Sequence, residues 1–258
     1  MTSLMAVEGL RKRFGGVRAV DDVSFAVNEG DLHGVIGPNG SGKTTVFNVI
    51  SGVYKPDAGE VRFNGQQIGG APPHAITRRG IARTFQNLRL FKTMSVLENV
   101  LVGLGGYRRG GGTMPTDPFL RPRLARKEER AMREHGRALL RRVGLDAYAD
   151  APATALPYGK QRKVEIVRAL AVSPRLLLLD EPAAGLNADE TRELDDFLQS
   201  LVTDGLTILM IEHDMRLVMG ICSTVTVLHR GTVIAHGTPA VVRADAGVVA
   251  AYLGDRAD

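Results

Sequence analysis

The chain has little with which to cross-link itself or to stack on a ligand. Its 258 residues include one cysteine, no tryptophan and 5% aromatic residues. A lone thiol, Cys222, excludes an internal disulfide and any multi-cysteine metal site, and it fits a reducing compartment. Few aromatics argue against an aromatic binding face, whereas thirty glycines point to tight turns and phosphate-type loops. No stretch of some 18 apolar residues occurs, and Glu8 interrupts the N-terminal segment before a signal-like apolar core can build. The expectation is a chain that neither crosses a membrane nor is secreted through a signal peptide. Apolar residues at 44% and charged residues at 24% exclude a disordered or fibrous protein. The length suits one large or two fused compact units.

The net charge of +5 is unevenly spread. Between Tyr107 and Arg142 stand eleven Arg and Lys against four acids, so the remainder is slightly acidic. That regional excess weakens any argument from overall basicity to nucleic-acid binding. The bland expectation for the segment is a solvated helix face, and the sharper one is contact with membrane subunits or anionic headgroups.

Three stretches follow one another along the chain. The first sixty or so residues read as strands around one loop: Val23, Phe25 and Val27 alternate with polar neighbours, and Leu32 to Ile36 is a short apolar strand. A helix is expected from about Lys43 to Ile50, then a turn at Lys55–Gly59 and a strand at Glu60–Phe63. From about Ile76 to Leu145 the pattern turns helical. Ser95-Val96-Leu97-Glu98 is a capping box, and Arg123 to Val143 a long charged helix closed by Gly144. Between them, positions 105–122 hold five Gly and three Pro, an uncommonly long loop. The third stretch alternates again: an apolar strand at Leu176–Leu179, a helix capped by Asn187-x-x-Glu190, a buried strand at Thr207–Ile211, and a hairpin of Val225–Leu228 with Thr232–Ala235. This order predicts a parallel sheet with the chemistry at its strand C-termini.

Chemistry concentrates at the strand ends. Gly37-Pro38-Asn39-Gly40-Ser41-Gly42-Lys43-Thr44-Thr45 follows an apolar strand and opens a helix, matching the phosphate-binding P-loop pattern. Its glycines let backbone N–H groups wrap phosphates, Lys43 is suited to the β/γ oxygens and Thr44 to Mg²⁺. Leu176-Leu177-Leu178-Leu179-Asp180-Glu181 ends a buried strand in two acids, Asp180 suited to holding Mg²⁺ through water and Glu181 to polarising an attacking water.

Leu156-Pro157-Tyr158-Gly159-Lys160-Gln161-Arg162, some twenty residues before those acids and opening an amphipathic helix, resembles the signature Leu-Ser-Gly-Gly-Gln of the ATP-binding cassette (ABC) ATPases. The resemblance covers nearly the whole chain. It implies that Phe14 is the adenine-stacking aromatic, Gln86 the Q-loop residue and a metal contact, Gly185-Leu186-Asn187 the D-loop and His213 the switch histidine. Gly159, Gln161 and Asn187 then touch nucleotide, as do Asn39, Gly40, Ser41 and Thr45 in the P-loop. Pro157 replaces the signature serine, Tyr158 its first glycine, and Asn187 the usual aspartate.

The fold so implied is an α/β P-loop NTPase with a mixed sheet, an N-terminal antiparallel β-region and an inserted helical lobe. Its expected core spans 1–75 and 172–258, and its helical lobe 76–171. The signature run, the insertion with its basic helix and the C-terminal Val249-Ala250-Ala251-Tyr252-Leu253-Gly254 look like the longer ATP-binding subunit of branched-chain amino acid importers. Urea or amide import, lipopolysaccharide export and a soluble cassette acting on nucleic acid are the alternatives. What the resemblance implies is ATP hydrolysis with Mg²⁺ at the cytoplasmic face of a membrane. The implied partners are permease subunits, a second ATPase subunit and, indirectly, a binding protein outside the cytoplasm; no nucleic acid is expected.

Overall fold

The computed structural model describes residues 3–105 and 122–254. The chain divides into two compact units, Met1–Gln86 with Arg175–Asp258, and Asn87–Pro174.

The first unit opens with β1 (Ser3–Phe14) and β2 (Val17–Asn28), then β3 (Leu32–Ile36), α1 (Lys43–Ile50), β4 (Ala58–Phe63), β5 (Gln66–Gln67), α2 (Pro73–Arg78) and β6 (Ile81–Arg83). The second unit carries α3 (Val96–Gly105), α4 (Pro122–Arg142) and α5 (Tyr158–Leu170). The chain then returns with β7 (Leu176–Asp180), α6 (Ala188–Thr203), β8 (Thr207–Ile211), α7 (Met215–Ile221), β9 (Thr224–His229), β10 (Thr232–Gly237), α8 (Pro239–Ala244) and α9 (Ala246–Gly254).

Two sheets build the first unit. One is antiparallel, in the order β2-β1-β4-β5. The other runs β10-β9-β3-β8-β7-β6, parallel throughout except at the β9–β10 hairpin. Strands β3, β7 and β8 are buried at every position, which is why β7 and β8 read as nearly continuous apolar runs, a parallel strand covered on both faces having no polar side to show; β3 also holds His33, whose Nε2 meets Thr226 Oγ1 at 2.8 Å. Their register sets Leu32 of β3 beside Ile208, and Asp180 at the end of β7 beside Ile211. The three C-terminal ends thus share one edge of the sheet. The core behind that edge includes Phe47, Val49 and Ile50 of α1 against Leu176, Leu178, Leu209 and Ile211.

In the second unit Val96, Leu97, Val100, Leu140, Leu156, Val164 and Val167 form a separate apolar core. The predicted capping box is present: Ser95 N–H donates to Glu98 Oε2 at 2.7 Å, and Glu98 N–H to Ser95 Oγ at 3.2 Å. On α4, Arg137 pairs with Asp146 at 3.2 Å and Asp150 at 2.7 Å, and Arg133 with Glu129 at 3.2 Å, so part of its positive charge is answered locally. Most of the Gly/Pro-rich insertion expected at 105–122 lies outside the described residues.

The second unit begins at Asn87 and ends at Pro174, against the expected helical lobe at 76–171, and the larger difference is at its start. Residues 76–86 group with the first unit because β6, only three residues long, pairs with β7 from Ile81↔Leu176 to Arg83↔Leu178. So short a strand, set between a helix and a loop, gives too few positions for a period to show.

Candidate functional site

The chain leaves β3 into the loop Gly37–Gly42 and re-enters regular structure at Lys43. Two glycines there are needed for space as well as conformation. Gly37 has φ 148°, and a Cβ at that position would lie 2.0 Å from the Leu228 carbonyl oxygen. Gly42 has φ 103°, and its Cβ would meet the Ala19 carbonyl oxygen at 2.4 Å. Gly42 is also the N-cap of α1, where no side chain caps the first-turn amides, so they stay available to an anion. Ser41 Oγ is buried without a hydrogen-bond partner, and Asn39 and Gly40 are exposed beside it.

Lys43 is 7% exposed, its ammonium donating to the carbonyls of Gly37 at 2.7 Å and Pro38 at 2.9 Å. Burial lowers its pKa from the ordinary lysine value, while the carboxylates of Glu181 and then Asp180 oppose the shift. That coupling places the lysine charge and both acids in one field. Thr44 and Thr45 occupy the first turn of the same helix.

Asp180 closes β7 at 4% exposure. Arg83 Nη2 donates to its Oδ2 at 2.8 Å. Glu181, the next residue, has φ 48°, a left-handed conformation that is costly for a residue with a side chain. Its amide donates to the Ile211 carbonyl at 3.0 Å. Gln86 Nε2 donates to Glu181 Oε2 at 2.7 Å, and His213 Nδ1 lies 3.8 Å from the same oxygen. Gln86 and the His213 side chain are both exposed.

A carboxylate, a hydroxyl and a primary amide, from Asp180, Thr44 and Gln86, are all hard oxygen donors. Among the described residues no group of three or more His, Cys, Asp or Glu could hold a metal alone. That donor chemistry fits Mg²⁺, which keeps waters and phosphate oxygens as ligands rather than taking an all-protein cage.

The other residues singled out in the sequence fall elsewhere. Phe14, at the end of β1, is 43% exposed and meets Tyr54 edge-on at 5.1 Å between ring centroids, with Lys12 Nζ 5.5 Å from its own ring centre. Asn187 is the N-cap of α6: its Oδ1 accepts from the amides of Asp189 and Glu190, both at 2.9 Å, and its own backbone N–H donates to Glu190 Oε2 at 3.0 Å. Gly159 and Gln161 belong to the second unit, on the first turn of α5, which Pro157 caps with φ −55°. Gly159 is buried, and Gln161 Nε2 donates to the Leu156 carbonyl at 2.8 Å.

Two residues in the site were not legible in the sequence. Arg83 carries the contact to Asp180 just described. Glu212, 1% exposed, accepts from the amides of Ala183 at 2.9 Å and His213 at 3.2 Å, tying the loop after Glu181 to the histidine. Burial raises the Glu212 carboxyl, and those amides pull against the rise. The acid beside His213 was the one available signal.

Residues 20–184 match the family described as ABC transporter, and residues 232–258 match that described as branched-chain amino acid ATP-binding cassette transporter. The high-affinity branched-chain amino acid transport ATP-binding protein BraF of Pseudomonas aeruginosa is 44% identical over 253 residues, 98% of each chain. The corresponding protein LivG of Escherichia coli is 43% identical over 256 residues, again 98% of each. Among solved structures, the ADP conformation of MJ1267, an ATP-binding cassette of an ABC transporter, superposes with TM-score 0.86 at 34% identity, covering 98% of this chain and 100% of that one. A dimeric bacterial ABC transporter cassette, MJ0796, aligns with TM-score 0.75 at 25% identity, covering 91% of this chain and 98% of that one. Among the described residues no helix is long and apolar enough to cross a membrane. With its family match across the P-loop and the acid pair, and relatives over 40% identical along nearly its whole length, the chain belongs to the ABC transporter family of ATP-binding proteins.

Proposed function

We propose that this chain is the ATP-hydrolysing subunit of an importer for branched-chain amino acids, working at the cytoplasmic face of the membrane beneath permease subunits. The observation that carries the ATPase reading is the convergence of Gln86 and His213 on the left-handed Glu181, beside Asp180 and Lys43. The substrate class is supported by the whole-length likeness to BraF and LivG and by the match over residues 232–258.

In this reading the backbone of Gly37–Gly42 and the open N-terminus of α1 bind the phosphates of ATP, Phe14 stacks on the adenine, and Lys43 neutralises the β/γ oxygens. Mg²⁺, held by Thr44, Gln86 and, through water, Asp180, supplies charge neutralisation at the phosphate oxygens. Glu181 orients and deprotonates the attacking water, and His213 holds the γ-phosphate side of the site. Gly159 and Gln161 serve the nucleotide of a second ATPase subunit, since one chain carries one P-loop and one signature. The γ-phosphate then stabilises the closed pair differentially, and hydrolysis removes that stabilisation. With Pro157 in place of serine, the contact from this segment comes from the backbone around Gly159 and the N-terminus of α5. The partner subunit is a paralogue, and a binding protein outside the cytoplasm delivers the amino acid to the permease.

Reconstitution of the complex in vesicles tests the substrate. Binding protein loaded with leucine, isoleucine or valine is expected to stimulate ATPase activity, with urea-loaded protein as the control. Absence of stimulation by all three amino acids would displace this assignment while leaving the ATPase reading intact.

A further inference from the structure

Arg83 stands at the end of β6, three residues before Gln86, and its side chain is 8% exposed. Its guanidinium is shared among three acceptors on two other elements. Nη2 donates to Asp180 Oδ2 at 2.8 Å, and Nη1 donates to Asn48 Oδ1 and to Ser51 Oγ, each at 2.7 Å. Asn48 lies in α1 and Ser51 is its C-cap, on the helix that begins with Lys43. The rings of Phe47 and Phe85 lie 5.9 and 5.1 Å from the guanidinium carbon, covering it with aromatic surface. Ser51 Oγ in turn donates to the Phe47 carbonyl at 2.7 Å, which fixes the acceptor that Arg83 uses.

A planar guanidinium with its donors in a fixed fork can bind several acceptors only when they are held in one geometry. Here that geometry joins the C-terminal end of the P-loop helix, the acid at the end of β7 and the strand that leads to Gln86. Asp180 has Oδ2 committed to this fork, and among the described residues its Oδ1 has no hydrogen-bond partner. Its carboxylate is therefore held by one oxygen and left open at the other.

We infer that Arg83 is a positioning residue for ATP hydrolysis: by clamping Asp180 Oδ2 to the end of the P-loop helix, it orients the other carboxylate oxygen toward the metal of the bound nucleotide. The inference rests on the reading of Asp180 as the acid that holds Mg²⁺ through water. Partners that orient a ligand's second oxygen matter in proportion to the ligand itself, with losses of roughly 10–100-fold in metal affinity or activity when they are removed. Without its cation the nearly buried carboxylate is strongly disfavoured where it stands, and it turns toward water and away from the metal.

The test uses the purified full chain and ADP, titrated calorimetrically in EDTA and again in excess Mg²⁺. In the parent, Mg²⁺ is expected to tighten ADP binding by a measurable factor. Arg83→Met is expected to leave the metal-free Kd within about twofold, because Arg83 bonds α1 at Asn48 and Ser51, at the end away from Gly37–Gly42, and to shrink the Mg²⁺-dependent gain about tenfold or more. Arg83→Lys, which keeps the charge and one donor, is expected to recover part of that gain. Asn48→Ala, which removes one anchor of the fork without touching Asp180, is expected to lose a smaller part and guards against a folding defect in the Met variant. An unchanged or larger Mg²⁺-dependent gain in Arg83→Met overturns the proposal, and so does an equal weakening with and without metal, which marks Arg83 as merely structural. If Mg²⁺ brings no gain in the parent itself, the reading of Asp180 is what fails.

Discussion

Replacing Lys43 with alanine separates what the lysine does for the fold from what it does for nucleotide. Its ammonium is 7% exposed and donates to the Gly37 and Pro38 carbonyls at 2.7 and 2.9 Å. Removing it forfeits two charge-assisted hydrogen bonds but also relieves the desolvation that lowers its pKa, so the two effects largely cancel. Folding stability is then expected to change by no more than about 1 kcal/mol. Nucleotide has no such compensation. A lysine serving two anionic phosphate oxygens makes bonds at the strong end of the range of about 1.5–3 kcal/mol each, about 6 kcal/mol together, and gives up two bonds to neutral carbonyls at the weak end, about 3 kcal/mol together, so about 3 kcal/mol net. At 1.4 kcal/mol per decade that is roughly a 10²-fold weaker Kd. Calorimetric titration with ADP and with ATP, paired with thermal unfolding of the same samples, measures both. A variant that keeps its fold and binds within about threefold of the parent refutes the P-loop assignment.

Other predictions follow from the same contacts. Glu181→Gln is expected to bind ATP normally and to accumulate a closed dimer by light scattering, while its kcat falls about 10²–10⁴-fold; undiminished turnover removes Glu181 as the base. Asn187→Ala loses the capping box of α6 and is expected to cost about 0.5–2 kcal/mol in urea unfolding, and no loss would mean that the cap is replaced by water. Asp195, on α6, is pushed from 3.8 up to about 6, by burial first and then by Asp196, Asp214 and Glu212. Its folded pKa lies above the unfolded one, so the folded chain holds this proton longer and loses stability as pH rises from 3.8 through about 6. Asp195→Asn is thus expected to be the more stable protein at about pH 8, by about 1 kcal/mol after discounting for partial exposure, and level with the parent below about pH 4. Urea midpoints at the two pH values check the sign.

Much of the sheet and the residues that gather at its C-terminal edge could be read from the chain because each signal was dense. Five consecutive buried positions in β7 and two acids at its end leave little choice of element or edge. Asn187-x-x-Glu190 announced a helix start, and the cap is there. Arg83 and Glu212 could not be read in this way. A single arginine at the end of a three-residue strand, or one glutamate beside a histidine, has the same local pattern as a surface residue. Their burial arises from contacts 97 residues away for Arg83 and 29 for Glu212. Three-dimensional neighbours of that kind leave no period in a single sequence. The edge strand β6 was hidden for a related reason, since its partner β7 follows only after the whole second unit.

The left-handed backbone at Glu181 also sets a trap for protein engineering. A glycine would relax that φ of 48° and is expected to raise stability by about 1 kcal/mol. Selection for heat tolerance without selection for turnover would therefore favour Glu181→Gly and, with Glu181 proposed as the base, is expected to enrich a sturdier cassette that hydrolyses ATP poorly. At this position a stability ranking and an activity ranking run in opposite directions, and a library scored on melting temperature alone would discard the working protein.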